Sequence, residues 1–109
     1  MASTLTKAQL DDLRGRLERE RARIQRVLGS APARAAQPDQ ETELEEAAQR
    51  ETERSRGAEV EARERALLAE VERALAKLAN GRYGVGEQTG DPIPYERLVA
   101  VPWARDPVE

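Results

Sequence analysis

Leu10, Leu13, Leu17, Ile24, Val27 and Leu28 recur at spacings of three, four and seven residues. In an α-helix that spacing lays every one of them along a single stripe, which has to be buried against something. The stripe has one gap, because the position near Glu20 and Arg21, where another apolar residue is due, is polar. Thr6 and Gln9 have the spacing of a capping box, and Leu5 and Leu10 sit where a hydrophobic staple would close over it. A helix is therefore expected from about Thr6 onward, with Gly29 and Ser30 as its stop.

The covering surface is found further along the chain. Val60, Leu67, Val71, Ala74, Leu75 and Leu78 form a second stripe. It belongs to a long helix expected from roughly Gln40 to Asn80, about 60 Å at the helical rise. Asp39 can cap that helix, and Glu41 and Glu43 suit its positive end. Asn80 and Gly81 end it with residues that tolerate a left-handed cap. The first half of this helix is poor in apolar residues, offering Leu44, Ala48 and Ser55, and Gly57 interrupts it. Between the two helices, Ser30 to Gln40 (SAPARAAQPDQ) reads as a connector. The fold class that follows is mainly α, a long antiparallel helical hairpin of coiled-coil type over residues 1–80, with its tip near 30–48. Apolar residues are densest at the base, so the base should be the more stable end.

Composition agrees. Of 109 residues 36% are charged and only 3% aromatic, too few large rings for a big globular core. A net charge of −3 gives no general attraction for nucleic acid. There is no Cys and no His, which excludes disulfides and thiolate- or imidazole-bound zinc. MASTLTKAQL lacks the apolar core of a signal peptide, and no apolar run approaches the ~20 residues of a membrane span. The expectation is a cytoplasmic protein without a membrane partner.

Residues 81–109 form a distinct small lobe. Gly81 to Ala104, GRYGVGEQTGDPIPYERLVAVPWA, has the turns of a small zinc finger but none of its ligands. Tyr83-Gly84 and Thr89-Gly90 mark turns. Ile93 to Val101 reads as two short extended stretches, restricted by Pro92, Pro94 and Pro102. So short a segment buries little area alone. Tyr83, Ile93, Leu98 and Trp103 are therefore expected to form its core and to dock on the hairpin base.

Taken together, the chain resembles the DksA/TraR family of RNA polymerase-binding transcription regulators. In that family a coiled-coil hairpin leads into a four-cysteine finger of the form G-x-Y-G-x-C-x-x-C-G-x-x-I-x-x-x-R-L-x-A-x-P-x-A. Gly81, Tyr83, Gly84, Gly90, Ile93, Arg97, Leu98, Ala100, Pro102 and Ala104 all fall on their marks. The ligands do not: the first pair falls on Gly86 and Thr89, and the third on Pro107. The resemblance thus implies a degenerate, finger-like lobe without zinc. Counting back from the finger places the family's D-x-x-D-x-A tip motif on Glu43, Glu46 and Ala48, with both acids lengthened by a methylene.

By themselves Glu43, Glu45 and Glu46 read as a solvated helix start. Without His, Cys or a pocket, a catalytic or metal role for the pair Glu43 and Glu46 has little support. The resemblance implies instead a tip that enters the polymerase secondary channel and approaches its catalytic region, with Glu43, Glu46 and Ala48 as contacts. Arg97 is left as either a polymerase contact or a partner within the lobe. The arginines Arg14, Arg16, Arg19, Arg21, Arg23 and Arg26 concentrate on helix one, and could meet an acidic polymerase surface. Some family members bind guanosine tetraphosphate jointly with the polymerase, using basic side chains. The positions that align carry Glu70 and Val101 here. A phosphate prefers Arg or Lys, so the chain is not expected to depend on that nucleotide in the same way, and no cofactor is expected. The reading is a non-enzymatic, monomeric regulator without sequence-specific DNA contacts. The alternative is a structural or adaptor coiled coil that has lost polymerase binding.

Overall fold

The computed structural model of the protein describes residues 3–35 and 44–107. Two long helices, α1 (Lys7–Ala35) and α2 (Leu44–Ala79), pack antiparallel, and a short third helix, α3 (Tyr95–Ala100), lies against α1. The molecule measures 62 × 23 × 20 Å. The 36 residues of α2 set its length.

The start of α1 follows its capping box. The Thr6 N–H donates to Gln9 Oε1 at 2.9 Å, and the Gln9 N–H donates back to Thr6 Oγ1 at 3.1 Å. Its end does not follow the expected stop, because the helix runs through Gly29 and Ser30 to Ala35. A helical glycine costs about 1 kcal/mol relative to alanine. The glycine alone costs too little to end the helix, and Ala31, Ala33, Arg34 and Ala35 favour its continuation, which carries Pro32 within it at the loss of one backbone N–H bond. Asp39, read as the cap of the second helix, lies outside the described residues.

The end of α2 is closed by its glycine. Gly81 has φ 71°, the left-handed region. The Arg82 N–H reaches Lys77 O at 2.8 Å and the Gly81 N–H reaches Leu78 O at 3.3 Å. These are the two bonds of a Schellman cap, and they satisfy carbonyls that the helix end would otherwise orphan.

The lobe departs from its expected secondary structure. Ile93 to Val101 is not a pair of extended stretches, since Tyr95 to Ala100 is helical. Pro94 stands at the N-cap with φ −60° and ψ 146°. Its ring fixes a φ suited to entering a helix, and Glu96 in the first turn suits the positive end. The β-preference of Val99 yields to packing, because one helical turn puts Leu98 fully into the core. Among the described residues the extended pairing is a single antiparallel bridge between Val85 and Pro92.

The core is continuous from hairpin to lobe. Leu13, Leu17 and Ile24 of α1 and Val71 and Ala74 of α2 are buried together with Tyr83, Ile93, Leu98 and Ala104. Trp103 is half-buried against this cluster, as are Leu67, Leu75 and Leu78. Val60 departs from the expected stripe, with 42% of its surface exposed. In a straight helix each seven-residue step drifts by ~20°. From buried Ala74 through half-buried Leu67 to Val60, the drift turns the position out of the interface. Among the described residues no helix is long and apolar enough to cross a membrane.

Candidate functional site

The base of the hairpin is tied by side chains remote in sequence. The Tyr95 hydroxyl donates to Asp12 Oδ2 at 2.7 Å, and Arg16 Nε donates to the same oxygen at 2.9 Å. These two bonds, with the Arg16 charge, hold the Asp12 carboxyl below its usual range. Arg105 of the lobe forms a two-pronged pair with Glu70 on α2, one arm at 2.8 Å. Its guanidinium holds the Glu70 carboxyl down in the same way. Arg73 and Lys77 both close on Glu87, which ties the knuckle of the lobe to α2. Half-way up the hairpin Arg23 bridges Glu20 on its own helix and Glu64 on the other, the latter at 3.2 and 3.0 Å. The gap in the stripe near Glu20 is thus crossed by an ion bridge where an apolar contact is missing.

The lobe is built around a tight backbone knuckle. The Gly86 N–H donates to Asp91 O at 2.8 Å, the Gly90 N–H to Gly86 O at 3.0 Å, and the Ile93 N–H to Gly84 O at 2.8 Å. Gly84 has φ 86°, and a Cβ there would lie 2.5 Å from Ser3 Oγ and 2.8 Å from Leu5 Cδ1. Only glycine lets the N-terminal segment cross so closely. A Cβ on Gly86 would lie 2.5 Å from Thr89 Oγ1, 2.9 Å from Asp106 Oδ1 and 3.0 Å from Pro107 Cδ. Gly86 and Thr89, three residues apart, and Pro107, far along the chain from both, therefore converge on one point. Thr89 Oγ1 accepts the Asp91 N–H at 3.2 Å, and Asp106 Oδ1 accepts the Gln88 N–H at 3.0 Å. The Tyr83 hydroxyl, whose burial raises its pKa, donates to Pro102 O at 2.8 Å and pins the far side of the lobe.

The other residues singled out from sequence sit as follows. Ile93 and Leu98 are fully buried, Tyr83 is 4% exposed, and Arg97 is half-buried in α3. Val101 is half-buried at the end of α3. Glu46 and Ala48 lie in the first turns of α2, with side chains outside the described set, and Glu43 lies outside the described residues altogether. The structure therefore brings the lobe positions together, and Glu46 and Ala48 stand apart from them at the start of α2. Sequence reasoning did not find Asp12 with Tyr95, Glu70 with Arg105, or the part played by Asp106. The one signal for Asp106 was its place beside the third former ligand position.

No family model matches the sequence. Known structures do match. The transcription factor DksA2 from Pseudomonas aeruginosa superposes with a TM-score of 0.74 at 34% identity, over 92% of this chain and 78% of that one. The chain belongs to the DksA/TraR family. The RNA polymerase-binding transcription factor DksA of Caulobacter vibrioides is 37% identical over 67 residues, 62% of this chain and 47% of that protein. General stress protein 16O of Bacillus subtilis is 63% identical over 46 residues, 42% of this chain and 28% of that protein. The matches thus span from about a quarter to a half of these two curated relatives.

The zinc ion that the DksA/TraR finger implies does not fit the residues present. Gly86 has no side chain and Pro107 no donor atom. The Thr89 hydroxyl and the Asp106 carboxylate already fill the point where the positions meet, and both accept backbone N–H groups. Zinc in such a site requires four deprotonated Cys or neutral His donors. Among the described residues no group of three or more His, Cys, Asp or Glu is placed to hold a metal.

Proposed function

We propose that this protein regulates transcription by binding RNA polymerase, without enzymatic activity of its own. The observation that carries the reading is the likeness over 92% of the chain to the transcription factor DksA2. The Caulobacter relative, an RNA polymerase-binding transcription factor, supports the same partner. In this reading the protein is a cytoplasmic monomer of two parts, a hairpin over residues 1–80 and a metal-free lobe over 81–109. The hairpin reaches into the polymerase secondary channel, and Glu43, Glu46 and Ala48 act near the catalytic region. The lobe is the docking foot, and α2 with its 36 residues is long enough, at about 54 Å, to separate foot from tip.

The test is a pull-down with core RNA polymerase, followed by transcription with a variant carrying Glu43→Ala and Glu46→Ala. Binding by both proteins, with the change in transcript output lost in the variant, supports the reading. Failure of the wild type to bind leaves the adaptor alternative. Binding with unchanged transcripts removes the tip from the mechanism.

A further inference from the structure

Asn80 is the only asparagine of the chain, and Gly81 follows it. The pair stands at the joint between α2 and the lobe, and both residues are exposed. The Asn80 backbone N–H donates to Ala76 O at 3.0 Å, but its carboxamide makes no hydrogen bond among the described residues. The Gly81 N–H reaches Leu78 O at 3.3 Å, longer than an ordinary N–H···O bond. The space around Gly81 is open, since a Cβ built there would meet nothing within 4 Å. Lys77 and Arg82 border the same cleft as Gly81, so positive charge is at hand for an anion forming on its amide nitrogen.

We infer that Asn80 is a site of spontaneous modification, at which the Gly81 amide nitrogen closes on the Asn80 carboxamide to form a succinimide that water opens to isoaspartate. Hydroxide takes the Gly81 amide proton. The nitrogen attacks Asn80 Cγ, a C–N bond forms, and the carboxamide nitrogen takes up a proton and leaves as ammonia. Glycine suits this step because it puts no side chain beside the attacking nitrogen. Water then adds to one of the ring carbonyls. Opening at Cγ leaves an aspartate at position 80. Opening at the backbone carbonyl leaves isoaspartate, with the chain running through Cβ and Cγ. Water enters, ammonia leaves, and nothing is oxidised or reduced.

The Arg82 N–H closes α2 on Lys77 O at 2.8 Å across this same peptide. Gly81, with φ 71°, sets that closure. Isoaspartate adds a backbone carbon between the two partners, so the closing bond no longer fits. It also places a carboxylate at the negative end of the helix. The covalent joint of the lobe loosens, while the pairs of Glu70 with Arg105 and Glu87 with Arg73 still tie the lobe to α2. The inference is independent of polymerase binding.

The full-length protein is incubated folded at neutral and mildly alkaline pH, beside the same chain unfolded in urea and an Asn80→Gln variant. Isoaspartate is measured by methyl transfer from an isoaspartate-specific methyltransferase, and its position is read by peptide mass mapping. It is expected at residue 80 of the folded protein, faster at the higher pH. The rate should lie within roughly tenfold of that in urea, because an exposed helix end opens at small cost. Asn80→Gln should lose the signal, since its longer side chain closes a larger, slower-forming ring. Isoaspartate in the unfolded chain but none in the folded protein would show that the cap protects the pair, and would overturn the site. The isoaspartyl form is then separated by ion exchange and compared with the amide form by hydrogen exchange. Its Arg82 amide should exchange about tenfold faster, for the loss of one backbone hydrogen bond. Asn80→Asp, which adds the charge without the extra carbon, should lose less protection. An Arg82 amide equally protected in the isoaspartyl form would overturn the uncapping.

Discussion

Tyr95 and Asp12 stand 83 positions apart in the chain, and their side chains meet in a 2.7 Å hydrogen bond. It joins α3 to the first turns of α1. The bond adds a directional contact to the shared core and to the Glu70–Arg105 and Glu87–Arg73 pairs that hold the lobe on the hairpin.

That bond makes stability depend on pH at both limits. The folded Asp12 carboxyl titrates below its ordinary value of 3.8. Its contribution is complete above that value and is lost as pH falls through the lowered folded pKa. The Tyr95 hydroxyl is raised above its ordinary 10.0, first by the bond to Asp12. Its contribution is complete below that value and is lost as pH rises through the raised one. Urea unfolding across pH should show both limbs, and Asp12→Asn should flatten the acid one. An unchanged acid limb in Asp12→Asn would refute the assignment to this carboxylate.

Apolar burial outweighs the ion bridge along the hairpin. Leu17 is fully buried, so Leu17→Ala is expected to destabilise by roughly 2–5 kcal/mol. Arg23 and Glu64 keep 42% and 19% side-chain exposure. Arg23→Ala should therefore cost about 1 kcal/mol or less. Denaturation midpoints of the two variants measure the order directly, and the reverse order would contradict it.

The lobe should resist both chelators and the return of a ligand. A side chain at Gly86 would meet Thr89 Oγ1 at 2.5 Å and Asp106 Oδ1 at 2.9 Å. Gly86→Cys is therefore expected to destabilise by about 1–3 kcal/mol through overpacking. Melting followed by circular dichroism should give the same midpoint for the wild type with and without EDTA. Stoichiometric zinc in purified protein, lost together with the fold on chelation, would contradict the donor argument.

Glu70 closes on Arg105 and presents no free cation where the family resemblance places a nucleotide contact. Transcription with and without guanosine tetraphosphate is expected to show the same effect of this protein. A large gain on adding the nucleotide would show that other cations serve in place of Glu70.

Much of the architecture was legible because it is written in local periodicity. The spacing of Leu10, Leu13 and Leu17 puts them on one helical face whatever lies opposite, and Thr6 and Gln9 bond within one turn. The errors came where local signals compete. Gly29-Ser30 looks like a stop, yet the helix runs on through Ala31, Pro32 and Ala33 to Ala35. Pro92 and Pro94 look like breaks in a strand, and Pro94 instead opens α3. Of the candidate site, Gly86, Thr89 and Pro107 could be named from their alignment with a finger pattern. That Thr89 and Asp106 occupy their meeting point could not, because nothing in the spacing tells how a Thr and an Asp share the place of a metal.

Sequence alone determined the two helices, the cap at Gly81, the turns of the lobe and the loss of every zinc donor, since each depends on residues within a turn or two of one another. Tertiary structure decided which charges are committed. It set Asp12 on Tyr95, Glu70 on Arg105 and Glu87 on Arg73 and Lys77. An ion pair or hydrogen bond acts over a few ångströms of space and carries no mark of the distance along the chain that folding has to close.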